Sequence, residues 1–376
     1  MAPDVPEGLF PEGKRYNAYV DFFRRRYGAR LQKVVIDAGF TCPNRDGKVS
    51  RGGCTFCDNA AFHPGYSTPG KSIAEQIDEG VEFHRGRYRR VEAYLAYFQS
   101  YSNTYASLER LREVYLAALS HPSVVGIVIG TRPDCVDAEK LDFLSDLASG
   151  RVLPGWERTL RREGGSSVGA SGGGACGCAP GGGAAKLEET LTLHAPVVIV
   201  EYGVESCYDR TLERVNRGHD FACARKAIGE TAARGLDCGA HFILGLPGET
   251  PEMMLEGCAE INSLPLTTVK FHQLQIVRGT AMEKEYARVP EDFHRFTLEE
   301  YIDFFTSMLE RLRPDLCIER FAGEVPPRFV TETPWGLIRN VELIRLLEKR
   351  LAERGTWQGR LAFQMEKTFC EVRFND

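Results

Sequence analysis

The chain has 376 residues, 43% of them hydrophobic and 26% charged, with 47 Lys and Arg against 52 Asp and Glu for a net charge of −5. That length suits one large domain, or one large and one small, and the acidic balance excludes a wholly basic nucleic-acid coat while leaving room for a local basic patch. No apolar run of about 18 residues announces a membrane span, and the start, "MAPDVPEGLF", lacks the basic and apolar regions of a secretory signal.

Taken in chain order, residues 1–32 form a basic segment that ends in "RRRYGARLQK" (24–33). Strands are predicted at 33–39, 92–99, 124–130, 196–203, 239–245 and 269–277, each a continuous apolar run of the kind that parallel strands covered on both faces require. Helices alternate with them. The first runs from Ser72 to about Arg89, opens on a Ser72/Glu75 capping box and carries Ile73, Ile77 and Val81 on one face. Others are predicted at 105–119, 137–148, 220–234 and 251–263. Sixfold alternation predicts an α/β fold, a parallel barrel or doubly wound sheet over residues 33–280. Inside it, "GGSSVGASGGGACGCAPGGG" (164–183) is half glycine and reads as a disordered insertion. From about 281 to 376 a mostly helical extension is expected, with "LEEYIDFFTSMLERL" and "VELIRLLEKRLAER" as amphipathic stretches.

Twelve cysteines without a signal peptide point to a reducing, cytoplasmic setting, in which thiols bind metal or stay buried. Three of them, Cys42, Cys54 and Cys57, sit in one glycine-rich loop, "AGFTCPNRDGKVSRGGCTFCDN". With His63 they offer the four ligands of a zinc knuckle, and hence a zinc-stabilised, non-catalytic RNA- or protein-binding module. The other reading is a [4Fe–4S] cluster held by three thiolates, which leaves one iron open to an exchangeable ligand. An open iron would chelate the amino and carboxylate groups of S-adenosylmethionine, and an electron from the cluster would break its sulfonium–C5′ bond. Position favours this second reading. The loop follows the first strand, and polar or glycine-bearing motifs end the later ones: Gln99, "GTRPDC", "GVES" and "GLPGET". Ligand loops of parallel barrels gather at that end.

Together, "RYNAYVDFFRRRYG", the cysteine loop, "AYFQSYSNTYA", "VVGIVIGTRPDC", "RVNRGHDFACARKA", "HFILGLPGETPEMM" and "RGTWQGR" resemble the YhcC/YtqA-like family of radical S-adenosylmethionine (radical SAM) proteins, relatives of the radical SAM half of the elongator subunit Elp3. The resemblance implies a (β/α)6 partial TIM-like barrel, a [4Fe–4S] cluster on Cys42, Cys54 and Cys57, and S-adenosylmethionine. It places cofactor contacts at Phe98, Gln99 and Asn103, at Gly203 and Glu205, at Arg217 for the carboxylate, and at Gly245 in the fifth-strand loop. It implies an electron donor such as flavodoxin or ferredoxin. With the basic clusters at 24–33 and 84–90, it points to RNA, specifically tRNA, as substrate.

Several other features stay open. "GYSTPGKS" (65–72) fits the P-loop expression, but no strand precedes it. Arg132 and Asp134 read as a buried ion pair or as substrate-facing groups. His241 stands where relatives carry an aspartate and is either a core histidine or a ligand. His272 and Gln273 face substrate or solvent. Cys176 and Cys178 read as bystander thiols, and the remaining cysteines as packing residues.

Overall fold

The computed structural model describes residues 5–58, 64–86, 91, 93–161, 190–336 and 338–362. His63, residues 87–90, the insertion 164–183 with Cys176 and Cys178, and Cys370 lie outside the described residues.

The predicted runs form strands β1 (Leu31–Ile36), β2 (Ala93–Phe98) and β3 (Val124–Thr131). A short antiparallel hairpin, β4 (Arg158–Arg161) and β5 (Thr190–Leu193), brackets the glycine-rich insertion and was not foreseen from sequence. Then come β6 (Val197–Glu205), β7 (Asp237–Leu244), β8 (Thr268–Gln273) and β9 (Cys317–Arg320). Seven of these pair in parallel in the order β1-β2-β3-β6-β7-β8-β9, a curled half-barrel with helices on its outside.

The seventh strand corrects an expectation. Residues after 281 are not only helical: β9 pairs with β8 through Thr268–Cys317 and Val269–Ile318 and carries the alternating rhythm one strand further. "CIER" is too short and too charged to announce itself as a strand; pairing along the β8 edge decides its conformation.

Helix starts follow local chemistry. Helix α1 (Tyr19–Tyr27) ends on a left-handed Gly28. A four-residue turn, α2 (Pro43–Asp46), opens the cysteine loop. Helix α3 (Ile73–Arg85) has the predicted reciprocal Ser72/Glu75 box, which explains the serine of the P-loop-like run without any phosphate. Ser107, Asp137, Asp220 and Thr250 cap α4 (Leu108–Ser120), α5 (Ala138–Ala148), α7 (Phe221–Ala233) and α8 (Pro251–Ser263), while α6 (Asp209–Arg214) is a short uncapped turn after β6. Helices α9 (Ala281–Arg288), α10 (Leu298–Arg311) and α11 (Asn340–Glu353) follow β8.

Alternation along the strands divides the core. Val34, Ile36, Ala96, Phe98, Ile127, Ile129, Val198 and Val200 pack outward under Ile77, Leu111, Tyr115 and Leu144 of the helices. Leu31, Leu95, Tyr97, Val128 and Ile199 point inward, where Phe23 of α1 and Leu160 of the hairpin close one end. Lys33 belongs to this inner set. Its side chain is only 10% exposed and is tied to Glu201, so it is withdrawn from the basic surface patch that the run 24–33 suggested. Elsewhere in that patch Arg26 pairs with Asp237 at 2.8 Å and Arg25 donates to Asn17 at 2.7 Å.

Candidate active site

At the carboxyl ends of the strands, Cys42, Cys54 and Cys57 line one cavity of about 230 Å³ together with Gln99, Arg132, Gly203, Glu205, Arg217, His241 and His272. Cys42 caps the α2 turn, and the chain returns through Gly52 and Gly53, both left-handed at φ 87° and 83°, to Cys54. The Cys57 N–H donates to the Cys54 carbonyl at 3.0 Å, which fixes the C-x2-C pair as a tight turn. Among the described residues no three His, Cys, Asp or Glu side chains converge on a point that would hold a single ion. Three thiols on the wall of one cavity match, in number and kind, the thiolates that would hold a [4Fe–4S] cluster with one iron left open.

The cysteine loop does not hold itself. A turn 160 residues later, Val215 to Gly218 between α6 and α7, braces it. The Thr55 N–H donates to the Val215 carbonyl at 2.9 Å, and Asn216 Nδ2 donates to the Gly53 carbonyl at 2.8 Å. Asn44 Nδ2 donates to the Asn216 carbonyl at 2.5 Å, and Arg217 Nη1 to Cys54 Sγ at 3.5 Å. Asn216 sits at φ 53°; with Tyr101 (61°) and Glu205 (74°) it completes the set of left-handed non-glycine residues among those described. All three border the cysteine site, where such strain concentrates.

Of the residues expected to contact the cofactor, Gln99, Gly203, Glu205 and Arg217 reach the cavity. Arg217 is 6% exposed and already engaged: Nη2 donates to the Gly203 carbonyl at 2.5 Å and stands 3.7 Å from Glu205 Oε1. A β-carbon on Gly203 would come within 2.8 Å of Arg217 Nη2, so this close approach requires glycine. Burial opposes the Arg217 charge, but the neighbouring Cys54 and Glu205 charges raise its pKa. Partial desolvation and then the Arg217 charge push the half-buried His219 down to about 4. Phe98, Asn103 and Gly245 stand outside the cavity. Phe98 packs on Tyr115 under the helices. Asn103 Nδ2 ties the ends of β2 and β3 by donating to the Phe98 and Gly130 carbonyls at 3.0 and 2.8 Å. The Gly245 N–H is directed at Met254 Sδ in the turn after β7. Arg132 is buried, lines the cavity and pairs with Asp134 at 2.7 Å, but Asp134 itself is exposed, so the pair is buried on one side only.

Sequence reading missed the floor of the cavity. Glu201 on β6 is 1% exposed and accepts from Lys33 at 2.5 Å and Lys270 at 2.6 Å, with His241 Nε2 at 3.0 Å. Glu319 of β9 completes the layer, 2.6 Å from Lys33 and 3.0 Å from Lys270, and Lys270 also donates to the Tyr97 hydroxyl at 3.1 Å. His241 is therefore anchored through a buried carboxylate and presents its ring to the cavity beside His272, 5.6 Å between centroids. Burial holds the His272 pKa well below its usual value. The missed signal was one charge in each of three apolar runs: "KVVI", "VVIVEYG" and "VKF". Charges buried in strands occur in pairs.

A model of the Radical_SAM C-terminal domain matches residues 266–353. The Escherichia coli K12 protein YhcC is 32% identical over 342 residues, covering 91% of this chain and 94% of its own. Bacillus subtilis YtqA is 29% identical over 360 residues, covering 94% and 95%. Among solved structures, an archaeal Elp3 from Methanocaldococcus infernus superposes with a TM-score of 0.58 at 15% identity, covering 88% of this chain and 64% of that longer one. With the half-barrel and the three-cysteine cavity, these matches show that the chain belongs to the YhcC/YtqA-like family of radical SAM proteins.

Proposed function

We propose that this protein is a radical SAM enzyme in which Cys42, Cys54 and Cys57 hold a [4Fe–4S] cluster and the strand ends beside them hold S-adenosylmethionine. The observation that carries this reading is one cavity shared by the three thiols and by residues from the ends of β2, β3 and β6 to β8. When bound, a reduced cluster on these thiolates would supply the electron for cleavage of S-adenosylmethionine to methionine and a 5′-deoxyadenosyl radical, and a low-potential donor of the flavodoxin or ferredoxin kind would re-reduce it. Gln99 and Glu205 offer an amide and a carboxylate for the cofactor's amino and hydroxyl groups. His241, fixed by Glu201, offers a proton donor or acceptor at the substrate end.

RNA, and tRNA within it, is the proposed substrate class. What supports this is the outer side of the cysteine loop. Arg45, Arg51 and Arg278 line a recess of about 430 Å³ there, with Asp58 as its acidic member. Close by, Arg45 stacks 5.8 Å from the Tyr101 ring and Lys48 5.3 Å from the Tyr105 ring. Cations interleaved with aromatic faces track a phosphate backbone and stack bases. This reading puts RNA on the cysteine side, unlike the N-terminal basic segment, whose α1 closes the opposite end of the barrel.

The test is chemical. Wild type and each Cys→Ala variant are purified without oxygen and reconstituted, and iron and sulfide are counted. About four irons in wild type and large losses in all three variants are expected. One zinc with no sulfide in freshly purified wild type would end this reading.

A further inference from the structure

We infer that Arg217 and Asn44 set the reduction potential of the cluster through Cys54, which makes Arg217 a tuning and positioning residue. This inference rests on the proposed cluster.

The three thiols differ in surroundings. Cys54 is buried, and its sulfur receives two N–H donors: Arg217 Nη1 at 3.5 Å and Asn44 Nδ2 at 3.6 Å. Those separations suit sulfur, whose radius exceeds that of oxygen. Neither donor is free to wander. Arg217 is held by its second bond to the Gly203 carbonyl, and Asn44 by its bond to the Asn216 carbonyl, so both are delivered from the braced turn. At Cys57, Arg45 Nη2 donates to the carbonyl at 2.6 Å and the same guanidinium also favours the charged thiol. Cys54 is the thiol that receives two N–H donors, each fixed by a second bond.

The chemistry has a definite sign. One-electron reduction by a low-potential donor adds negative charge to a cluster and its sulfurs. Hydrogen bonds to those sulfurs, above all from a buried cation, stabilise the reduced form and raise the potential. Two of the five guanidinium N–H groups, one on Nη1 and one on Nη2, are spent on the Cys54 sulfur and the Gly203 carbonyl, and they fix where the charge sits.

The test is an EPR-monitored redox titration of reconstituted protein, with S-adenosylmethionine affinity measured by equilibrium dialysis on the same samples. Arg217→Gln should keep its iron and lower the midpoint potential by at least a tenfold change in the one-electron equilibrium, about 59 mV. Asn44→Ser should move it the same way by less, and Arg217→Lys should recover part of the loss. Cofactor affinity should stay within about threefold of wild type. A potential unchanged in Arg217→Gln, or a large loss of affinity without a shift in potential, overturns the inference. If Arg217→Gln sheds its iron, Arg217→Lys and Asn44→Ser decide: no downward shift in either one overturns it. Wild type that binds no four-iron cluster would instead defeat the proposed function on which it rests.

Discussion

The Lys33 ammonium on β1 lies 2.5 Å from the Glu201 carboxylate on β6, inside the curled sheet. Two ammonium groups, Lys33 and Lys270, share two carboxylates, Glu201 and Glu319, so the layer is electrically balanced only while all four are present. Breaking a buried ion pair on one side strands a charge, at a cost of about 3–5 kcal/mol. Glu201→Gln should lose about that much stability in urea unfolding, whereas an exposed partner such as Glu82→Gln should lose under about 1 kcal/mol. Equal effects of the two changes would mean that the layer is solvated.

The same carboxylate predicts a pH dependence. Burial pushes the Glu201 pKa up, but Lys270, Lys33 and His241 together hold it well below the usual carboxylate range. A depressed folded-state pKa contributes stability that is fully present above the unfolded value, about 4.3, and fades as pH falls toward the folded one. The gap in unfolding free energy between wild type and Glu201→Gln should be flat from pH 7 to about 5 and narrow below about 4. A gap that widens with acid would reverse the sign assigned here.

Gly203→Ala should be damaging for a steric reason. Its β-carbon meets Arg217 Nη2 at 2.8 Å and the Glu205 carboxylate as well. Overpacking of this kind costs about 1–3 kcal/mol. Displacing the guanidinium, like removing it in Arg217→Gln, should leave the iron bound, so the effect is read in the melting temperature. A normal melting temperature would show that the turn yields without strain.

The glycine-rich insertion should be removable. Its flanking strands are already in register, Arg161 opposite Thr190, and loop-closure entropy changes slowly with length. Replacing residues 164–183 with a short Gly-Ser linker should alter stability by no more than about 1 kcal/mol and leave iron content unchanged. Loss of iron would assign a role to Cys176 or Cys178.

RNA binding, if it uses the recess beside the cysteine loop, must depend on salt. Changing Lys48, Arg51 and Arg278 to Ala should make the slope of log affinity against log salt shallower by about 2, at roughly 0.7–0.9 for each phosphate no longer neutralised. Filter binding of tRNA at several salt concentrations measures this. An unchanged slope would move the RNA elsewhere or remove it.

Periodicity and caps made most of the fold legible. Six apolar runs and five capped helices stand within a few residues of where composition placed them, because each is specified by its own neighbours in sequence. What escaped was specified from afar. β9 exists because β8 offers an unpaired edge, and Lys33 is withdrawn from the surface because Gly28 ends α1 early and strand alternation then turns the side chain inward. At the site, the thiol spacing and the strand-end motifs were readable. The brace formed by Val215–Gly218 was not, since its side chains, Asn44, Asn216 and Arg217, meet their partners across a long stretch of chain. Arg217 was visible as a cation near the site; its partner was not.

That brace has a consequence for the life of the chain. Residues 42–57 leave the ribosome 160 residues before the turn that clamps them, and until Val215–Gly218 arrives the Thr55 N–H, the Gly53 carbonyl and the Cys54 sulfur lack the partners that fix them. The nascent amino-terminal half therefore carries the cysteine loop without its clamp, and any cluster proposed for these thiols would find its loop fixed only after the Val215–Gly218 turn has been made.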